Sequence, residues 1–166
     1  MEKARIERYL RDYAYLFLEA GLAVALDQAL KLWARSILDV GETWEPFPAL
    51  ADYLAIIHTF NTGMALGILR GTNGLFIALG EIICIVILFV YPRVSEKRNP
   101  VLIGLGMGLI LGGALGNLID QVTLGYVTDV FLVSFLPVFN LADLALVFGA
   151  ILLWLSLLFD KSKSQS

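Results

Sequence analysis

"GNLIDQVTLGYVTDVFLVSFLPVFNLAD", Gly116 to Asp143, lies between two long apolar runs and decides how the chain is laid out. It holds no lysine or arginine, it carries Asp120, Asp129 and Asp143, and it contains one small phrase twice. Asn117-Leu118-Ile119-Asp120 opens it and Asn140-Leu141-Ala142-Asp143 closes it. The run before it, Val101 to Ile119, and the run after it, Leu141 to Phe159, are each about as long as the ~20 helical residues that cross a hydrocarbon core. Charges are costly in such surroundings, so three carboxylates beside two spans ask for a function.

Working outward, two more segments have spanning character: Tyr13 to Leu38, interrupted by Glu19, Asp27 and Lys31, and Gly74 to Tyr91, broken by Glu81. The apolar fraction of 58% places the 166-residue chain outside the usual soluble range and fits one integral-membrane domain over residues 1–166. Pro92 and Pro100 bracket the charged turn between the second and third spans, as helix-ending residues. The expected fold is an all-α membrane protein of four transmembrane helices at about 13–38, 74–91, 101–119 and 141–159, with an external cap over about 39–73 and an external loop over 121–139.

Orientation follows from the basic residues. Lys3, Arg5, Arg8 and Arg11 precede the first span, Arg93, Lys97 and Arg98 separate the second and third, and Lys161 and Lys163 follow the fourth. The positive-inside rule puts these segments, and with them both termini, in the cytoplasm. The long charged leader and the polar residues embedded in the first span read as a retained helix rather than a cleavable signal peptide.

In the cap, "ETWEPFPAL" offers Trp44 and Phe47 as headgroup-level anchors. "YLAIIHTF", Tyr53 to Phe60, reads as a short strand leading into "NTGMALGIL", whose Asn61-Thr62-Gly63 is by itself an ordinary polar turn. His58 is read as a surface residue of that cap. Gly104, Gly108, Gly112 and Gly116, spaced by four, make a smooth stripe for close helix packing, and Asp120 tops it.

A lone cysteine and a lone histidine exclude an intrachain disulfide and any Cys/His metal set, and no basic patch suggests nucleic acid. No cofactor is expected. Asp27 and Lys31 stand four apart with the acid first, the favourable order for a helical ion pair. In this topology Asp27, Asn61, Asn117, Asp120, Asp129, Asn140 and Asp143 gather near the outer face. Within each Asn-x-x-Asp phrase the amide and acid share a face if both are helical. Carboxylates alone support one hydrolytic chemistry: a pair sharing a proton, one activating water while the other protonates the scissile carbonyl. The residues leave open which two act together, although the repeat invites Asp120 with Asp143. A transport or proton-relay protein is the rival class. It would need Glu19 and Glu81 to extend the acid path toward the cytoplasmic half. A non-catalytic binding protein is a further alternative.

The motifs "LDQALK" (residues 26–31), "NTGMALGIL", "GGALGNLID", "YVTDVF" and "FNLAD", in this order, resemble lipoprotein signal peptidase, the signal peptidase II family. The resemblance spans nearly the whole chain. It implies an intramembrane aspartic peptidase of the bacterial inner membrane that cuts diacylglyceryl-modified prolipoproteins just before the lipidated cysteine. The implied catalytic pair is Asp129 and Asp143, with Asp27, Lys31, Asn61, Gly63, Asn117, Asp120 and Asn140 as supporting or substrate-binding residues. A small β-cradle and a surface helix are implied for the cap. The implied partners are the signal-peptide helix of the diacylated substrate and membrane lipid, with the enzyme a monomer. Four positions depart from the family pattern: Gln121 where an arginine is usual, Met64 and Leu66 in the "NTG" phrase, and Phe60 before Asn61.

Overall fold

In the computed structural model, residues 2–61, 73–95 and 100–162 are described. The chain runs α1 (Glu2–Ile37), β1 (Thr43–Trp44), β2 (Leu54–Asn61), α2 (Asn73–Ser95), α3 (Pro100–Leu124), β3 (Val127–Val133) and α4 (Leu141–Ser162). Helix α3 packs against α1, α2 and α4 and is the axis of the bundle. Ile77–Val94, Val101–Leu124 and Leu141–Leu158 are long and apolar enough to cross a membrane. Their outer faces carry large exposed apolar side chains, Phe89, Val147 and Trp154 among them. Such surfaces are stable with lipid as solvent, and the chain is a multi-pass membrane protein.

The glycine stripe packs the protein against itself. A Cβ on Gly112 would stand 2.6 Å from Ala23 Cβ and 2.7 Å from Ala20 O, and one on Gly116 would stand 2.7 Å from Asp27 Oδ2. The stripe therefore lets α1 lie close enough to α3 for Asp27 to reach past it. A core of Leu16, Ala20, Ile87, Tyr91, Ile103, Met107 and Leu111 closes the end of the bundle remote from the sheet.

Several expectations need correction. Helix α2 runs through Pro92 instead of ending there. Proline leaves the carbonyl four residues back without its helical donor, and the Tyr13 hydroxyl supplies one, donating to Leu88 O at 2.8 Å. The described part of the cap holds a 3₁₀ turn at Pro48–Leu50, and the rest of the cap, where the expected surface helix can fall, lies outside the described residues. The segment read as an external loop begins with the last turn of α3 and contains β3. His58 is buried, not superficial: its Nδ1 lies 2.8 Å from Leu38 O, fastening β2 to the end of α1.

The sheet has order β1-β2-β3, with both pairings antiparallel. Strand β2 pairs with β3 from Leu54↔Val133 to Asn61↔Val127, with a register irregularity between Ile56 and Thr59. Beyond it Thr59 faces Asp129. Trp44 of β1 stacks edge-on against Trp33 of α1 at 5.6 Å.

Candidate active site

Two chain reversals bring the carboxylates together. Helix α3 stops at Gly125, whose φ of 79° is the left-handed cap that glycine tolerates. Its N–H returns to Gln121 O at 3.2 Å, and the chain turns directly into β3 with Asp129. After β3 the chain folds back: Val130 and Phe131 both donate to Phe139 O, at 3.0 and 2.8 Å, and Phe139 donates to Phe131 O. This hairpin sets Asn140 beside Asp129.

The two Asn-x-x-Asp phrases behave differently: Asn140 and Asp143 bond to each other across a helix start, while Asn117 and Asp120, both inside α3, do not. Asn140 precedes α4 and forms a reciprocal cap. Asp143 N donates to Asn140 Oδ1 at 2.9 Å, and Asn140 N donates to Asp143 Oδ2 at 3.1 Å. Asn140 Nδ2 then donates to Asp129 Oδ1 at 3.0 Å, so one residue bridges both acids. Asn117 lies inside α3, where backbone donors are already used, and its amide crosses to Asp143 Oδ1 at 2.9 Å. It does not serve Asp120.

Asp120 is instead an anchor for β3. Its Oδ2 accepts from Thr128 N at 2.9 Å, one residue before Asp129, and lies 3.2 Å from Lys31 Nζ. Its Oδ1 accepts from Gln28 Nε2 at 3.1 Å and stands 3.7 Å from Arg35 Nη1. Asp27 Oδ1 caps α4 through Ala142 N at 2.9 Å, and Asp27 Oδ2 pairs with Lys31 at 2.8 Å. Asp27, Lys31 and Asp120 are all fully buried, so each charge is stable only because the others are present.

Asp129 and Asp143 face a cavity of about 260 Å³ together with Asn61, Asn117 and Gln121. Its other walls are apolar: Leu79, Gly80 and Ile83 of α2, Ala114 and Leu118 of α3, Val127 of β3, and Leu146 of α4. Asp129 Oδ2 is buried without a hydrogen bond. Burial first, and then the Asp143 charge, push the Asp129 carboxyl up to about 6, against the opposing pull of Asn140, Lys31 and Asn61. Gln121 Nε2 is likewise buried and unpartnered on the cavity wall. Among the described residues no group of three or more His, Cys, Asp or Glu side chains could hold a metal ion. The arrangement is two inequivalent carboxylates at the polar end of an apolar cleft.

A family profile described as "Signal peptidase (SPase) II" matches residues 20–159. The chain belongs to the signal peptidase II family. It is 38% identical over 137 residues to the lipoprotein signal peptidase of Moorella thermoacetica, covering 82% of this chain and 88% of that one. With the lipoprotein signal peptidase of Halothermothrix orenii it shares 39% over 136 residues, 82% of this chain and 90% of the relative. A solved bacterial membrane enzyme, determined in meso at 2.3 Å, superposes with a TM-score of 0.79 at 31% identity. That match covers 89% of this chain and 90% of the other. The protein is thus a membrane peptidase of the signal peptidase II family.

Of the expected site residues, the structure brings together Asp27, Lys31, Asn61, Asn117, Asp120, Asp129, Asn140 and Asp143 around this cavity and its supporting network. Gly63 lies outside the described residues, as do Met64 and Leu66. Glu81 is exposed on α2. Glu19 lines a separate cavity with Arg11, Asp12 and Tyr91, and its Oε2 is buried without a partner. Gln28, Thr128 and Arg35 join the network without belonging to the expected set. Arg35 Nη1 donates to Thr128 Oγ1 at 2.6 Å, holding the strand from the α1 side. The signal for it was in the spacing, since Asp27, Lys31 and Arg35 recur every four residues on one helical face.

Proposed function

We propose that the protein is an aspartic endopeptidase that removes signal peptides from diacylglyceryl-modified prolipoproteins, cutting just before the lipidated cysteine, with Asp129 and Asp143 as the catalytic pair. The observation that carries this reading is the inequivalent pair bridged by Asn140 at the head of an apolar cleft. The described partners of Asp143, namely Asn117 Nδ2 and Asn140 N, are both donors, so its carboxylate is held as an acceptor. It also begins α4, where a negative charge meets the helix dipole favourably. Asp129, with its raised value and free Oδ2, suits the proton-bearing role.

In this mechanism Asp143 takes a proton from a water positioned between the acids. The water oxygen attacks the scissile carbonyl carbon while Asp129 gives its proton to the carbonyl oxygen. The tetrahedral intermediate collapses with cleavage of the C–N bond. Asp143 returns its proton to the leaving amine and Asp129 recovers one from the hydroxyl. The family relationship and the apolar walls of Leu79, Ile83 and Leu146 support a signal-peptide helix entering sideways from the bilayer. In this reading Gln121, on the same wall with an unpartnered Nε2, turns to donate to a substrate carbonyl.

The membrane reading extends to four spans, with α1 as the fourth. Its 36 residues rise ~54 Å, more than a bilayer core needs, so its charged first turns project beyond. The distribution of Lys and Arg supports cytoplasmic termini, the bacterial inner membrane, and a site near its outer face. The protein acts as a monomer in this reading. The test is mass spectrometry of products from a diacylated prolipoprotein. A cut immediately before the lipidated cysteine is expected, and cleavage elsewhere, or no cleavage, would refute it.

A further inference from the structure

Asn117 serves Asp143 only if its amide is turned the right way round. A primary amide has an accepting end and a donating end, and the cavity wall itself does not choose between them. For Asn140 the choice is made by a backbone N–H, that of Asp143. Asn117 has no such help, because it lies within α3, where main-chain donors are spent on the helix. Its accepting end instead meets an ammonium: Lys31 Nζ donates to Asn117 Oδ1 at 3.0 Å.

We infer that Lys31 is a positioning residue for the hydrolysis: by holding Asn117 Oδ1 it turns the Asn117 amide so that Nδ2 faces Asp143, keeping Asp143 the unprotonated member of the pair. This rests on the dyad reading above. Reversing the amide would set Oδ1 against the Asp143 carboxylate and NH₂ against the ammonium, two repulsive contacts in place of two attractive ones. Lys31 has three protons and three acceptors, Asp27 Oδ2, Asp120 Oδ2 and Asn117 Oδ1, so no proton is left over for the dyad itself. Its charge, with that of Arg35, is matched by Asp27 and Asp120. The influence on Asp143 therefore passes through the orientation of the amide rather than through a surplus positive charge.

Among the described residues, the charged and titratable groups around the pair are Asp27, Lys31 and Arg35 from α1 and Asp120 from α3, besides the two acids themselves. The α2 wall, Leu79, Gly80 and Ile83, contributes none. The experiment follows kcat against pH for the full-length protein, reconstituted with a diacylated prolipoprotein. Asn117→Leu removes the donor to Asp143, so the acid-side midpoint should rise by about one pH unit, the scale of a hydrogen bond to a charged group. The charge-balanced pair Lys31→Met with Asp120→Asn should raise it equally, and the triple variant no further. Lys31→Arg, which retains a donor for Asn117 Oδ1, should keep the wild-type midpoint.

An unmoved midpoint in Asn117→Leu overturns the inference, whether or not the charge-balanced pair folds. An additive shift in the triple variant also overturns it, because Lys31 would then act by its field and not through Asn117. A merely structural role would lower the plateau and leave the midpoint in place. Failure of the dyad reading looks different: cleavage would survive in Asp129→Asn or Asp143→Asn.

Discussion

Replacing Asp129 by asparagine should abolish cleavage and yet stabilise the protein, with a pH dependence that identifies the cause. The Asp129 carboxyl is raised from 3.8 to about 6, by burial first and by Asp143 second. Between those values the folded chain binds a proton that the unfolded chain has released, so folding stability falls as pH rises through the window. Below 3.8 there is no penalty, and above about 6 it is complete. A shift of about two units corresponds to about 3 kcal/mol. The substituted amide keeps an oxygen for Asn140 Nδ2 and offers N–H toward Asp143, so little is lost in exchange. Asp129→Asn should therefore unfold several degrees above wild type at pH 8 and at the same temperature near pH 4. Thermal unfolding in detergent can be followed with a thiol-reactive fluorophore at Cys84, the sole cysteine, which is half-buried in α2. Equal stability at pH 8, or the same gain at both pH values, would refute the placement of strain on this carboxylate.

Gly112→Ala should cost about 1–3 kcal/mol, because its Cβ would meet Ala23 Cβ at 2.6 Å and Ala20 O at 2.7 Å. Gly21→Ala, with nothing within 4 Å, should instead gain up to about 1 kcal/mol from helix propensity. Thermal melts of both in one detergent check the pair. Arg35→Met releases Thr128 Oγ1 and leaves Asp120 less compensated, so kcat should fall about tenfold or more with KM little changed. Gln121→Leu deletes an unpartnered donor on the cavity wall, and kcat/KM should fall by roughly three- to tenfold, read from progress curves at low substrate.

The apolar helices were legible because composition alone reports them. Their ends were less so: α2 outruns Pro92 because a tyrosine from another helix satisfies the orphaned carbonyl, a contact that spacing along α2 cannot reveal. The pattern of "VTDVFLV" does not mark β3 as a strand, since it carries buried polar residues, Thr128 and Asp129, where a strand pattern would show apolar ones. The cluster of acids and amides was visible in order and depth. The wiring inside it was not. The rule for neighbours three apart paired Asn117 with Asp120, but it holds only when nothing stronger competes. Asp120 is claimed by Lys31, Gln28 and the Thr128 backbone, which leaves Asn117 to Asp143. The burial of His58 is hidden in the sequence for a similar reason. A lone histidine in a polar-looking cap gave no hint that the end of α1 offers a carbonyl to its ring.

Peptide hydrolysis by Asp129 and Asp143 acting together is the core of the proposed function. It is tested most directly by release of the signal peptide from a purified diacylated prolipoprotein, comparing wild type with Asp129→Asn and Asp143→Asn, each first shown to be folded. Cleavage by wild type and none above background by either variant is the expected result. Processing by either variant at a rate near that of wild type would contradict it.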